Sequence, residues 1–194
     1  MANERVFRVG LAGLGAVGRE VARRLEAGID GLCLGAVAVR DVDKARRHLP
    51  RLGKDIPVVA LDELARTCDV IVEGLPPAAF STVARASIEA GRIFMPLSVG
   101  QLLDNWDLVE RARETGARIL PPTGALLGLD AVRAAAEGEI RSVAMVTRKP
   151  PAGLEGAPYL RERGISVLGV TEPTMVFDGF AREGARGFPA NLNV

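Results

Sequence analysis

Three glycines near the beginning of the chain have the spacing of a phosphate-binding turn. Residues 6–12 before them form an apolar run with the composition of a buried strand, and residues 16–25 repeat apolar side chains at helical spacing. In such a turn the first glycine allows the bend, the second lets the backbone approach a diphosphate, and the third lets the helix pack closely. The pattern predicts dinucleotide binding, and the alternative is a glycine-rich turn that binds nothing. The predicted contacts are Gly13, Gly15, Ala16, Val17 and Gly18.

The end of the second expected strand carries the residues that distinguish two dinucleotides. An acidic side chain there bonds the ribose hydroxyls of NAD, whereas an arginine suits the 2′-phosphate of NADP. The chain has Arg40 at this place, followed by Asp41. We expect Arg40 to contact the cofactor, which favours NADP or the use of both NAD and NADP. The alternative is that both residues are solvated loop charges.

Strands and helices alternate through the first half of the chain. Apolar, β-favouring runs are followed by segments with helical periodicity, and glycine or proline separates most of them. This order predicts an α/β fold with a doubly wound parallel Rossmann sheet. The expected strands are 6–12, 32–39, 56–59, 69–72, 93–97 and 118–120. The expected apolar faces are Val17, Val21 and Leu25 in the first helix and Phe80, Val83, Ala84 and Ile88 in the helix that stops at Gly91.

The alternation ends at Pro121-Pro122, which marks the boundary between two expected domains, 1–121 and 122–194. The second domain has an α+β pattern, with one helix at 129–137 followed by β-favouring runs. About seventy residues are few for an independent core, and the pattern stops abruptly, so we expect this domain to be incomplete. The strands expected in it are 140–147, 165–170 and 174–177.

Composition and charge exclude several classes of protein. A net charge of +1 provides no basic field, so no nucleic-acid partner is expected. No apolar run has the length of a membrane span, and the polar start is unlike a signal peptide, so no membrane partner is expected. Cys33 and Cys68 have the surroundings of small buried side chains, and with one histidine they make no zinc site. We expect a cytoplasmic protein without a bound metal.

Motifs along the whole chain resemble the L-aspartate dehydrogenase family. They occur in the family's order, and together they are far more specific than the glycine pattern alone. The motifs are Val9-Gly-Leu-Ala-Gly-Leu-Gly-Ala-Val-Gly18, Leu97-Ser-Val-Gly100, Pro122-Thr-Gly-Ala-Leu-Leu-Gly-Leu-Asp130, Thr147-Arg-Lys-Pro-Pro151, Gly156-Ala-Pro158, Val176-Phe-Asp-Gly179 and Gly187-Phe-Pro-Ala-Asn-Leu-Asn-Val194.

The resemblance implies a Rossmann domain followed by a substrate and dimerisation domain, in a homodimer. It implies NAD(P)-dependent oxidation of L-aspartate to iminoaspartate, a precursor for pyridine nucleotide synthesis. Carried over by position, Ala125 and Asn191 are the nicotinamide-side contacts of the cofactor. The acid/base histidine of the family is expected beyond the motif that ends at Val194, and the catalytic residue of this chain is therefore unknown.

His48 is the only histidine of the chain, and its place argues against that role. A helix after the second strand starts at the carboxyl edge of the sheet, where ligands bind, and runs back to the opposite edge. We therefore expect His48 on the edge away from the site.

A substrate with two carboxylates needs positive charge or oriented donors around it. Arg148 and Lys149, at the end of the long expected strand, can supply the charge, and a solvated strand terminus is the alternative. Ser98 can donate a hydrogen bond to cofactor or substrate, or it caps the helix that begins near Gln101. The remaining ionisable candidates are Glu73 and Asp178.

Three functions remain open at this point. The first is an L-aspartate dehydrogenase, and the second is a truncated cofactor-binding protein with impaired catalysis. The third is a reductase on the same scaffold that acts on an aldehyde or on the imine of another amino acid. Titration of NADH and NADPH, aspartate-dependent reduction of the cofactor and a panel of substrates distinguish the three.

Overall fold

Two compact units make up the chain. The computed structural model describes residues 5–50, 55–123 and 127–189. The division falls between Pro121 and Pro122, so the first unit holds the alternating strands and helices. Each unit has an apolar core of its own.

The first unit is built on a parallel sheet. Its strands are β1 (Phe7–Ala12), β2 (Leu32–Ala38), β3 (Val70–Glu73), β4 (Ile93–Pro96) and β5 (Arg118–Ile119). They are hydrogen-bonded in the order β2-β1-β3-β4-β5, and each neighbouring pair is parallel. Because β2 lies on one side of β1 and β3 on the other, the winding reverses between β1 and β3. This arrangement confirms the predicted doubly wound Rossmann sheet.

The short strand expected at 56–59 forms isolated bridge pairing and no regular strand. Val58 pairs in parallel with Val37 of β2, and backbone hydrogen bonds of 3.0 Å run from Val37 to Pro57 and from Val59 to Val37. Pro57 has no backbone N–H, which limits how far a ladder can continue at this edge. The segment therefore extends the sheet beyond β2 without forming a regular strand.

Helices cover both faces of the sheet. They are α1 (Ala16–Ala27), α2 (Val42–Arg46), α3 (Leu64–Thr67), α4 (Pro77–Glu89) and α5 (Trp106–Thr115), with a 3₁₀ helix at Val99–Leu103. Neighbouring residues of β1, Leu11 and Ala12, belong to separate apolar clusters, because successive side chains of a strand point to opposite faces. In the described part of the chain, no helix is long and apolar enough to cross a membrane.

The apolar face predicted for α4 is confirmed, and the one predicted for α1 is confirmed at Val21 and Leu25, which pack in one apolar cluster, but not at Val17. Phe80, Val83, Ala84 and Ile88 are all fully buried. In α1 the buried residues are Gly18, Ala22 and Leu25, while Val17 is 53% exposed. Val17 lies in the first turn of α1, next to Gly18, where the backbone packs closely against the carbonyl of Gly13.

The two cysteines have different surroundings. Cys68 is buried as predicted, and desolvation by burial raises the pKa of its thiol. Cys33 is exposed, so its prediction as a buried side chain is wrong. It lies in the first half of β2, where burial alternates along the strand and only one face is covered.

The second unit packs around a small aromatic cluster. Its helices are α6 (Leu129–Ala135), α7 (Pro158–Arg163) and α8 (Ala181–Gly187), with a 3₁₀ helix at Pro151–Gly153. The rings of Tyr159, Phe177 and Phe188 lie 5.2 to 5.8 Å apart, a distance range typical of favourable aromatic pairs. Besides Phe188, the buried residues of this cluster are Ala157, Leu160 and Val167.

The strands expected at 140–147, 165–170 and 174–177 are not formed in the described residues. A β-favouring run becomes a strand only when a second strand satisfies its backbone groups, and the sheet includes none of these segments. Val143 and Val146, in the first of these segments, are 65% and 84% exposed. The strand part of the predicted α+β pattern is therefore wrong for these residues.

Candidate dinucleotide-binding site

The glycine turn between β1 and α1 is the centre of the candidate site. Gly13 has a φ of +97°, and a Cβ there would lie 2.7 Å from the carbonyl oxygen of Gly74. A Cβ at Gly18 would lie 2.3 Å from the carbonyl oxygen of Gly13. Side chains at these two positions would collide with backbone atoms that cannot easily move. The first and third glycines are therefore required by the turn itself.

The second glycine has a different environment. A Cβ at Gly15 would meet no atom within 4 Å, so this position faces open space at the beginning of α1. No side chain caps this helix end, and its first turn holds no acidic residue. The first hydrogen bond of the helix runs from Arg19 N to Gly15 O at 3.0 Å, which leaves the amides of residues 16–18 without acceptors in the helix. An open backbone with uncapped amides fits a diphosphate group.

Three strand ends meet at the glycine turn. The amide of Gly13 donates to the carbonyl of Ala38 at the end of β2, and the amide of Gly74 after β3 donates to the carbonyl of Ala12. The turn thus lies where the winding of the sheet reverses, which is where open α/β sheets bind their ligands. The bonds hold the loops after β2 and β3 against it.

The loop after β2 carries the predicted selectivity residues. Asp41 caps α2, since its carboxylate accepts a hydrogen bond of 2.8 Å from the amide of Lys44. Arg40 is exposed, and its side chain has no hydrogen bond or ion pair within the described ranges. The acidic residue is thereby used inside the protein, while the arginine stays available to a ligand.

His48 lies near this edge of the sheet, so the prediction that it lies on the opposite edge is wrong. Its Nε2 atom is 3.0 Å from Nη1 of Arg19, and Nε of the same guanidinium donates to the carbonyl oxygen of Gly15 at 3.3 Å. The reason is the length of α2: five residues are too few to carry the chain back across the sheet.

Glu73, at the end of β3, joins two loops on the other side of the turn. Its carboxylate is fully buried and accepts hydrogen bonds from the amide of Leu75 at 2.7 Å and from the amide and hydroxyl of Ser98, both at 3.1 Å. Ser98 does not cap the following helix with its side chain. Its hydroxyl faces two acceptors instead, the carboxylate of Glu73 and the carbonyl oxygen of Leu75, which is 3.4 Å away. The sequence analysis names Glu73 only as one of the remaining ionisable candidates. The signal that could have indicated its role is an acidic residue at the end of an apolar strand.

Comparison with known proteins places the chain in a family. Residues 13–122 match the family described as homoserine dehydrogenase, NAD binding domain, and residues 130–194 match aspartate dehydrogenase, C-terminal. The chain is 48% identical to L-aspartate dehydrogenase of Bradyrhizobium diazoefficiens, over 97% of this chain and 67% of that protein. It is 46% identical to L-aspartate dehydrogenase 3 of Bordetella bronchiseptica, over 100% of this chain and 72% of that protein. This chain belongs to the L-aspartate dehydrogenase family.

Solved structures agree with this family assignment at the level of the fold. The structure of GenD2 from gentamicin A biosynthesis in complex with NAD has a TM-score of 0.51 and 25% identity, and the match covers 69% of this chain and 39% of that one. Biliverdin reductase of Synechocystis, solved with biliverdin and NADP+, has a TM-score of 0.52 and 17% identity, covering 68% of this chain and 43% of that one.

The remaining predicted site residues of this dehydrogenase family member lie beyond residue 121. Arg148 and Lys149 are exposed in the second unit, in a segment without secondary structure, so the strand end expected to present them is absent there. Asp178 is also exposed. The two nicotinamide-side contacts implied by the resemblance, Ala125 and Asn191, lie outside the described residues.

Proposed function

We propose that this chain is an NAD(P)-dependent L-aspartate dehydrogenase, which oxidises L-aspartate to iminoaspartate. When bound, the nicotinamide accepts the hydride that leaves the substrate α-carbon. Membership of the L-aspartate dehydrogenase family supports the substrate, and the open glycine turn supports the cofactor. The observation that carries the proposal is the uncapped beginning of α1 at Gly15, placed where the winding of the sheet reverses.

Residues of the first unit would hold the dinucleotide. The amides of Ala16, Val17 and Gly18 would donate to the diphosphate, and the absence of acidic residues in this first turn avoids repulsion. Gly15 would allow the backbone to approach, and Gly13 maintains the turn. Ala125 and Asn191 are proposed on the nicotinamide side by resemblance.

Arg40 is proposed to select for a 2′-phosphate. Its side chain is free within the described ranges, while Asp41, the residue that would favour NAD, is engaged in capping α2. A guanidinium is well suited to phosphate because it offers several donors in one plane. We therefore propose that the protein uses NADP as well as NAD, with Arg40 as the residue that distinguishes them.

Three residues are proposed to contact the substrate. Arg148 and Lys149 are proposed to bind substrate carboxylates, and both are exposed. Ser98 is proposed as a further contact, with the oxygen of its hydroxyl still able to accept a hydrogen bond. A base must remove a proton from the α-ammonium group before the hydride can leave, and no residue in 5–50, 55–123 or 127–189 is proposed for this role.

Two measurements test the proposed function. Titration of the 194-residue chain with NADH and NADPH, followed by nicotinamide fluorescence, should show saturable binding of at least one of them. L-Aspartate should then produce reduced cofactor, and a panel of other amino acids should not. Binding without aspartate-dependent reduction would favour the cofactor-binding alternative, and reduction with another substrate alone would favour the related reductase.

A charge reversal tests the role of Arg40. Arg40→Glu should weaken NADPH binding roughly tenfold or more without weakening NADH binding, because only NADPH carries the 2′-phosphate and an acidic side chain here can bond the ribose hydroxyls of NADH. Arg133→Glu, which changes the same charge on exposed α6, is the matched control and should alter neither affinity. An unchanged NADPH affinity in Arg40→Glu would remove this residue from the site.

The assignment of roles to the two domains, the homodimer and the cytoplasmic location also belong to this proposal. Residues 1–121 are proposed to bind the cofactor, and residues 122–194 to contribute to substrate binding and dimerisation. Light scattering of the purified chain measures the assembly directly. A monomer at micromolar concentration would contradict the homodimer.

A further inference from the structure

Glu73 is unusual among the polar side chains of the described residues. Only two buried polar side chains belong to this part of the chain, Glu73 and Ser87. Ser87 donates to the carbonyl of Val83 in its own helix at 2.7 Å, a local bond that involves no other element of the fold. Glu73 reaches Ser98, 25 residues away, and burying a carboxylate is expensive unless donors surround it. A buried carboxylate that bonds a residue so distant in sequence indicates a role that an apolar residue cannot fill.

The bonds of Glu73 hold the backbone of two loops at the carboxyl edge. One oxygen accepts from the amide of Leu75 and from the hydroxyl of Ser98, while the other accepts from the amide of Ser98. Leu75 follows β3 and Ser98 follows β4, so the side chain fixes the two loops relative to each other. An amide or an apolar side chain could not accept all three bonds in place.

These loops form the wall of the crevice on the side away from β2. A Cβ at Gly13 would lie 3.2 Å from the Cδ2 atom of Leu75, which shows that the Leu75 loop rests against the glycine turn. Gly74 also bonds to Ala12 at the end of β1. In a doubly wound sheet the adenosine half of a dinucleotide lies toward β2 and the diphosphate lies at α1. The other half must then extend over the ends of β3 and β4.

We propose that Glu73 is a positioning residue for the nicotinamide half of the cofactor. By fixing the backbone of Leu75 and Ser98, it gives this half of the crevice a constant shape before the cofactor binds. The inference rests on the proposed function, since it assumes that the crevice binds a dinucleotide. It assigns no proton transfer to Glu73, which acts only through the loops that it holds.

The experiment compares a whole ligand with a partial one. NADH and ADP are titrated against the 194-residue chain and against Glu73→Gln, because ADP has the adenosine and the diphosphate but lacks the nicotinamide half. Glutamine keeps the shape of the side chain but places an NH₂ group opposite one of the three donors. We expect roughly tenfold weaker NADH binding in Glu73→Gln, while ADP binding stays within about twofold of the original. A general loss of structure would weaken both ligands equally.

Two further variants keep the test decisive. Ser87→Ala removes the other buried polar group and should leave both affinities unchanged. Ser98→Ala removes one of the three bonds without exposing a new donor, and it should weaken NADH binding about two- to threefold with no effect on ADP. If thermal unfolding shows that Glu73→Gln does not fold, Ser98→Ala alone decides. Unchanged NADH binding in the folded variants, or equal losses for NADH and ADP, would overturn the proposal. Failure of the original chain to bind either nucleotide would instead refute the proposed function.

Discussion

The two units of this protein contain similar apolar runs but bury their side chains to different extents. In the first unit, Phe80 and Phe94 are fully buried between the sheet and its helices, with ring centroids 5.8 Å apart. In the second unit, Val146 and Met175 are 84% and 79% exposed, and the described part of this unit has one small aromatic cluster as its apolar core. The difference lies in strand pairing, because within the described residues only the runs of the first unit have neighbours in a sheet.

The comparison shows that a β-favouring run forms a strand only where another strand pairs with it. β1 is satisfied from both sides, by β2 and β3, and its side chains are then covered on both faces. Residues 140–147 have a comparable composition, yet their backbone has no partner strand in the described residues. Burial of apolar surface follows pairing, so without it these side chains remain exposed.

Amide hydrogen exchange gives the largest expected difference between the units. Amides of β1 and β3 should exchange only on global unfolding, roughly four orders of magnitude or more slower than an unstructured chain. Amides of residues 140–147 should exchange within about tenfold of the unstructured rate, because no backbone hydrogen bond among the described residues protects them. Protection of this segment equal to that of β1 would show that it is paired in solution and would remove the contrast.

Core truncation should give the next largest effect. Phe80→Ala is expected to lower the free energy of unfolding of the first unit by about 3–5 kcal/mol, since it leaves a cavity among fully buried side chains. Phe188→Ala should cost the second unit about half as much, because a smaller core can collapse around the space. The chain has one tryptophan, Trp106, and one tyrosine, Tyr159, and they report the unfolding of the first and the second unit separately. Equal losses would contradict the difference in packing.

Glycine substitutions distinguish the effect of a steric clash from the effect of a strained backbone conformation. Gly18→Ala should abolish measurable NADH binding and destabilise the first unit, because the added Cβ would lie 2.3 Å from a carbonyl oxygen. Gly15→Ala is the matched control: the fold should be unchanged, since the Cβ meets nothing, while NADH binding is weakened by a side chain in the approach to the turn. Gly128→Ala in the second unit should cost only about 1 kcal/mol, for its φ of +88° without any close contact. Thermal unfolding measures the change in stability of each variant, and NADH titration measures the change in affinity.

The smallest effect is expected at Asp69, which holds the amino edge of the sheet. Its carboxylate accepts from the amide of Arg8 at 2.9 Å and from the guanidinium of Arg5 at 2.8 Å, and these bonds, the backbone one first, lower its pKa. Because the pKa of the folded state lies below that of the unfolded chain, the stabilisation is present above about pH 4 and is lost as the pH falls further. Asp69→Asn should cost about 1 kcal/mol at pH 7 and less at pH 3. Asp30→Asn, an exposed control, should change neither value.

Much of the first unit was predictable from sequence because its signals are local. The glycine spacing, the apolar strands and the face of α4 follow from residue types a few positions apart, and the structure confirms them. The contact of His48 with Arg19 and the partners of Glu73 were not predictable in this way. Each is a contact between segments distant in sequence, such as the bond from Glu73 to Ser98.

The order of residues by itself determined that a strand, a glycine turn and a helix follow one another, and that the chain resembles the L-aspartate dehydrogenase family. Only the tertiary structure decided which runs become strands, since pairing requires a second segment to satisfy the backbone. It also decided that Asp41 is used within the protein while Arg40 remains available. Hydrogen bonds and burial assign such roles, and both arise only when segments far apart in the chain come together.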